Sequence, residues 1–182
     1  LYIILIHKMS LQLKKLDIST ALDTCGFFAF ETLEKILPYT DLVLYDLKLL
    51  DSELHKQFTV QSNEIILRNL DSLLTKKANN PMDFEIWIRT PLIPGITATK
   101  ENLTDISSYL IKAGIEHLTK WELCAFNNLC VDKYERLDLD WEFIHSPLLT
   151  RSELDECRNW CLQAGFPSEK IFVTGATRVE HD

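Results

Sequence analysis

Leu42-Val43-Leu44-Tyr45-Asp46-Leu47-Lys48 is the stretch from which the fold is read. From Leu42 to Leu47 it is a near-continuous apolar run, the pattern of a strand buried on both faces of a parallel sheet. Upstream, Ser19-Thr20-Ala21-Leu22-Asp23-Thr24 reads as another strand, and Gly26 then turns the chain. Between the two, Phe30, Leu33, Ile36 and Leu37 recur at helical spacing, with Pro38 at or just beyond the helix end. Downstream, Ile66, Leu70, Leu73 and Leu74 form the next helical stripe. Phe84-Glu85-Ile86-Trp87-Ile88-Arg89 reads as a third strand, closed by Pro91 and a Pro94-Gly95 turn.

Two later helices share one spacing. Leu103, Ile106, Leu110 and Ala113 stand at i, i+3, i+7 and i+10, as do Leu154, Cys157, Cys161 and Ala164. Each ends in Ala-Gly (Gly114, Gly165), where glycine can adopt the left-handed cap conformation. Thr150-x-x-Glu153 supplies a capping box for the second. The helices lead to apolar segments, Leu118 to Phe126 and Ile171 to Val173, which give a fourth and a fifth strand. Strands alternating with helices predict an α/β fold of right-handed βαβ units around a parallel sheet, one domain over residues 1–182. In such sheets ligands gather at the carboxyl ends of the strands.

Composition narrows the class. The 182 residues carry 19 Lys plus Arg against 27 Asp plus Glu, a net charge of −8, and 46% are hydrophobic. That balance argues against non-specific binding to nucleic acid or anionic membranes. The apolar run Leu1–Ile6 is too short for a signal-peptide core or a membrane span. Five cysteines form no disulfide framework and suit a reducing cytoplasm. The chain starts at Leu1 and its first methionine is Met9, so it is expected to be processed or to be part of something longer.

The predicted strand ends collect a polar set: Asp23-Thr24, Asp46-Leu47-Lys48, Arg89 and Asn127-Asn128. Two carboxylates, an ammonium and a guanidinium on one rim suit an anionic or zwitterionic small molecule, and paired Asp23 and Asp46 suit a hard cation. The plain alternative is a surface ion pair between Asp46 and Lys48. Cys157-x-x-x-Cys161 falls on the apolar stripe of a capped helix, so core packing is expected. Packing is also expected for Cys124 and Cys130, which lack metal-ligand spacing, whereas Cys25 is placed to touch a ligand. His7, His55, His117, His145 and His181 are scattered, and structural or surface roles are expected of them. Trp87 is expected to pack between sheet and helix, although alternation puts Arg89 on its face.

Taken in order, three blocks resemble the glycyl-radical-enzyme activating enzymes, of which the pyruvate formate-lyase activating enzyme is the best known. They are Ala21-Leu22-Asp23-Thr24-Cys25-Gly26, Asp41 to Lys48, and Ile86-Trp87-Ile88-Arg89-x-Pro91-Leu92-Ile93-Pro94-Gly95. Ser62-Asn63, Asn69-Leu70 and Lys133-Tyr134-Glu135-Arg136-Leu137 add to the match, which runs from about residue 20 to 137. The resemblance implies a partial (β/α) barrel of radical S-adenosylmethionine type, its first strands missing here. It implies a four-iron four-sulfur cluster that cleaves S-adenosylmethionine, and a radical passed to a glycine of a pyruvate formate-lyase-like partner. It further implies a reductant such as flavodoxin or ferredoxin. By position, Asp23, Thr24, the Leu44 carbonyl and Asp46 would border a monovalent-cation site, and Lys48 would contact the methionine carboxylate. Arg89 and Asn127 would face the same cofactor cavity.

Departures from the family pattern shape the rest. The Cys-x-x-x-Cys-x-x-Cys motif of the cluster and the Gly-Gly-Glu segment are not in this sequence, so no cluster ligand and no catalytic residue is assigned to it. The chain is therefore expected to be the C-terminal part of an activating enzyme, inactive alone, holding neither cluster nor cofactor tightly. Its exposed first strand is expected to be capped by Ile3–Leu16 or to pair with a second copy. Relatives have Tyr-His where this chain has Phe126-Asn127, and many have Gly at Val60 and Cys130. Two other readings remain open: a non-catalytic partner-binding protein on a truncated barrel, and a metal-dependent lyase or aldolase using Asp23, Asp46 and Lys48.

Overall fold

A computed structural model describes residues 2–79 and 84–178; His181 lies outside them. In chain order the elements are α1 (Tyr2–Lys15), β1 (Ala21–Thr24), α2 (Phe30–Ile36), β2 (Leu42–Asp46), α3 (Ser52–Thr59) and α4 (Glu64–Asn79). They continue with β3 (Glu85–Leu92), α5 (Lys100–Gly114), β4 (Lys120–Ala125), α6 (Val131–Arg136), α7 (Arg151–Gln163) and β5 (Ile171–Thr174). All five strands run parallel, in the order β1-β2-β3-β4-β5. Sequential order combined with right-handed crossovers puts every connecting helix on one side of the sheet. The result is an open parallel α/β sheet, as the alternation of the sequence predicts, curved as the half-barrel that the family resemblance implies.

That one-sidedness corrects one expectation. Val43 and Tyr45 of β2 are buried, but Leu42, Leu44 and Asp46 are only half-buried, so the strand is covered on one face. Its covered face meets Ile86, Ile88 and Leu92 of β3, Trp121 and Leu123 of β4, and the helical stripes. Leu33 of α2, Leu70, Leu73 and Leu74 of α4, Leu103, Ile106 and Leu110 of α5, and Leu154 of α7 fill the space between. Cys157 and Cys161 lie in this core, where burial pushes their thiols up to about 11 and about 12. Trp121 donates its indole N–H to Thr90 Oγ1, and Thr90 donates to Leu47 O, so these two core side chains are paired.

Other boundaries moved for identifiable reasons. The third strand runs on through Pro91 to Leu92, because β2 ends opposite Arg89 and Pro91 pairs in register with β4 alone. A missing N–H costs nothing on the unpaired side. Trp87 lies on the open face, stacked under Lys120 with the ammonium 3.8 Å from the ring centroid, not between sheet and helix. Residues 2–15 form a helix that packs on α2 and the turn after it. Its anchor is at the base of the sheet, where Lys14 donates to Asp41 at 2.7 Å. The outer edge of β1 therefore has no strand partner among the described residues.

Helix ends follow the sequence signals where those are strong. Thr150 and Glu153 form the reciprocal capping box of α7, and Gly114 and Gly165 take φ of +118° and +91°. The C-cap of α3 is less comfortable: Val60 sits there at φ +67° with its side chain 78% exposed. A β-branched residue in the left-handed region is strained, and glycine would relieve that strain. Val60→Gly should raise stability by about 1 kcal/mol, seen as a higher urea midpoint at unchanged slope. A lower midpoint would show that the valine side chain contributes more than its backbone costs. Cys130, the other position at which the resemblance implies glycine, has φ −86° and carries no such strain.

Candidate functional site

The open face of the half-barrel places charged residues in rows. Asp46 of β2 lies opposite Arg89 of β3, which lies opposite Glu122 of β4. Asp23 of β1 is two residues lower, opposite Leu44. Because side chains alternate along a strand, Asp23, Asp46, Arg89 and Glu122 all point to the open side. Of these four strands, β1, β2 and β3, separated by long stretches of sequence, deliver one bonded cluster.

Its geometry is tight. Arg89 donates from Nε and Nη2 to Asp46 Oδ1 at 3.1 and 2.9 Å, and from Nη2 to Asp23 Oδ1 at 2.6 Å. Lys48 donates to Asp46 Oδ2 at 3.1 Å. Burial works against the guanidinium charge of Arg89, but its bonds to Asp46 and its attraction to Asp46 and Asp23 outweigh that and raise its pKa above the ordinary value. Two anions and two cations leave the cluster neutral. Further down the same face, Lys120 lies over Trp87 and pairs with Glu122 at 3.4 Å.

Three asparagines from two helical segments hold the backbone at Lys48 and the turn after β1. Asn102 of α5 donates to Lys48 O at 2.9 Å and Thr97 O at 3.0 Å, and accepts from Leu50 N–H at 3.1 Å. Asn63, just before α4, donates to Leu49 O and Leu50 O. Asn69 of α4 donates to Gly26 O and Phe28 O at 2.7 Å each, pinning the turn after Asp23-Thr24. Two of these, Asn63 and Asn69, belong to the blocks matched in the sequence. Asn102 was not singled out there; its only signal is a polar residue beside Leu103, in the first turn after the Thr99 cap.

Beside Lys48 lies a cavity of about 240 Å³, lined by Cys25, Phe27, Lys48, His55, Asn63 and Ile66 among others. Cys25 is exposed at its rim. His55 is buried, with Nδ1 2.8 Å from Gln61 O, and closes the α3 turn. A wider depression of about 720 Å³ between α3 and α5 is lined by Asp51, Glu53, Glu101 and Asp105 and carries none of the strand-end residues.

Not every predicted residue joins the cluster. The Thr24 side chain falls on the covered side, in register with Tyr45, and its Oγ1 accepts from Gly26 N–H at 3.0 Å. Asn127 is exposed beyond β4, where its Oδ1 accepts from Leu129 N–H at 3.2 Å. Among the described residues nothing ties Asn127 to Arg89 or Lys48, and no group of three or more His, Cys, Asp or Glu is arranged to hold a metal ion. No helix among them is long and apolar enough to cross a membrane.

Known proteins resemble this chain in sequence and fold. No family model matches the chain. Over 159 residues it is 31% identical to the choline trimethylamine-lyase activating enzyme of Oleidesulfovibrio alaskensis, covering 87% of this chain and 49% of that protein. Over 129 residues it is 36% identical to the pyruvate formate-lyase-activating enzyme of Clostridium pasteurianum, covering 71% of this chain and 50% of that one. Among solved structures, a domain of a pyruvate-formate lyase-activating enzyme from Bacteroides vulgatus superposes with a TM-score of 0.72 at 22% identity, over 96% of this chain and 92% of that domain. That last likeness is one of fold. The chain spans about half the length of the curated relatives it matches.

Proposed function

The chain is homologous to the glycyl-radical-enzyme activating enzymes, and from that premise we propose that it forms the S-adenosylmethionine-binding wall of such an enzyme. The observation that carries the reading is the strand-end cluster of Asp23, Asp46, Lys48 and Arg89 on the open face. Lys48 holds the carboxylate of the cofactor's methionine. Its ammonium has three N–H donors, of which Asp46 takes one, and its side chain is 35% exposed at the mouth of a cavity. S-adenosylmethionine, when bound, supplies the adenosyl group that removes a hydrogen atom from the target glycine.

Within that scheme the chain's own residues bind and orient. Asp46 accepts from both Lys48 and Arg89 and so fixes where the ammonium can stand. Asn102 and Asn63 hold the backbone on which Lys48 is mounted. The cysteines present do not fit an iron–sulfur cluster: Cys157 and Cys161 are buried in the core, and Cys25 is far in sequence from the rest. A cluster ligated by thiolates would need residues other than these 182. Nor does a monovalent cation fit between Asp23 and Asp46 as they stand, because Arg89 already bonds both. The partner is a glycyl radical enzyme of the pyruvate formate-lyase kind, the reductant a flavodoxin or ferredoxin. Five free cysteines support a reducing cytoplasm as the compartment.

The test uses the protein expressed from the whole reading frame that contains this chain, reconstituted with iron and sulfide under anaerobic conditions. Mixed with S-adenosylmethionine, a reductant and candidate glycyl radical enzymes, it should give the electron spin resonance doublet of a glycyl radical with one of them. A protein that binds S-adenosylmethionine with none of its affinity depending on Lys48, and radicalises no partner, would sink the reading.

A further inference from the structure

We propose that Arg89 is the built-in cation of this wall. Its guanidinium occupies the position between Asp23 and Asp46 in which the family resemblance implies a monovalent metal ion, and the site works without one. The inference concerns the same wall as the proposed cofactor site but does not depend on that cofactor.

The argument begins with the oxygens. Asp23 and Asp46 offer four, and three of them already accept a charged donor: Asp23 Oδ1 and Asp46 Oδ1 from Arg89, and Asp46 Oδ2 from Lys48. A hard cation needs several oxygens around it; of these four carboxylate oxygens only Asp23 Oδ2 has no charged donor, and adding the implied Leu44 carbonyl makes two, too few for a coordination shell. Charge leads to the same conclusion. The four side chains sum to zero, and an added ion would leave a positive centre.

Sheet geometry explains why an arginine does this and a shorter or single-headed cation does not. Neighbouring strands are about 4.8 Å apart, so β1 and β3 are about twice that. Arg89 reaches Asp46 on the adjacent strand with two N–H groups and Asp23 on the next strand with the outer one. A planar fork can hold two carboxylates in fixed directions at once, whereas an ammonium acts as a point charge. Thr24, another implied ligand, turns its hydroxyl to the covered side, where Oγ1 accepts from Gly26 N–H. Arg89 is thus a positioning residue: by fixing Asp46 it fixes the acceptor on which Lys48 rests.

The experiment is made on the 182-residue chain without S-adenosylmethionine, so its failure and the failure of the cofactor reading are separate events. Thallium(I) binding is followed by its NMR line, and melting is compared in potassium and choline chloride at equal ionic strength. The wild-type chain should show no saturable thallium binding and the same Tm in both salts. Arg89→Gln uncovers the two carboxylates and should acquire saturable binding, with a Tm about 3–6 °C higher in ~100 mM potassium than in choline. Adding Asp46→Asn should cancel that gain. Arg89→Lys, which keeps the charge but not the fork, should also gain potassium-dependent melting and serves if Arg89→Gln does not fold. Saturable thallium binding by the wild type, or no potassium effect in a folded Arg89 variant, overturns the proposal.

Discussion

Gly26→Ala should unfold the chain far more readily than any surface substitution, by about 3–5 kcal/mol. The turn after β1 carries Gly26 at φ +73°, and a Cβ built there would stand 1.8 Å from Tyr45 Oη and 2.3 Å from its ring carbon Cζ. Tyr45 cannot step aside. It is fully buried, and its hydroxyl donates to Ile66 O at 2.7 Å. Either that bond breaks, or the turn lifts away and loses the bond from Asn69 to Gly26 O. A left-handed alanine costs about 1 kcal/mol, overpacking about 1–3, and a broken buried hydrogen bond about 1–3. For a chain of this size the melting point should fall by about 10 °C or more. Urea titration followed by circular dichroism measures it, with Tyr45→Phe as the companion variant. Because the hydroxyl is the nearest part of the steric conflict and both changes cost its bond to Ile66 O, the double variant should be less destabilised than the two singles combined. A Gly26→Ala chain within about 1 kcal/mol of wild type would mean that the turn does not rest on Tyr45.

The same contact shows what a sequence can and cannot reveal. Period 3.6 in α4, α5 and α7 and the apolar runs of the strands were legible, because those patterns are set by the covered face alone. The open face was not. Leu42 and Leu44 made β2 look enclosed, yet they are half-buried on the side without helices; hydrophobicity records residue type, not whether a neighbouring layer exists. Helix α3, Ser52–Thr59, escaped because only Leu54 and Phe58 mark its apolar side and most of its residues are polar. Pro91 looked like a strand end, since its tolerance depends on β2 stopping opposite Arg89, which is a property of register.

The candidate cluster was half legible for a related reason. That Asp23, Asp46, Lys48 and Arg89 would share a rim follows from strand ends and chain order. That Arg89 would bridge Asp23 across 66 residues of sequence follows only from the order β1-β2-β3 and the two-residue offset between Asp23 and Asp46. Asn127 illustrates the converse. Its place after β4 suggested a rim residue, but an asparagine side chain readily accepts from the backbone two residues on. Here it does so, with Leu129 N–H.

Lys48→Met should weaken S-adenosylmethionine binding by about 10–100-fold while leaving the fold almost untouched. A charge-assisted hydrogen bond contributes about 1.5–3 kcal/mol, which sets that range. Removing the ammonium also changes the field that the ligand meets. Asp23 and Asp46 would then face a single cation, Arg89, and a wall that is neutral in the wild type would repel a carboxylate. Stability should change little, because the Lys48–Asp46 pair is partly exposed and such pairs contribute only about 0–1 kcal/mol. A large loss of affinity at nearly constant Tm therefore separates binding from structural support. Equilibrium dialysis with the protein from the whole reading frame measures the affinity. Decarboxylated S-adenosylmethionine closes the cycle: if Lys48 meets the carboxylate, the wild type should discriminate against that ligand and Lys48→Met should not. Equal discrimination by both proteins would place the carboxylate elsewhere on the wall, and Lys48 would be a partner of Asp46 alone.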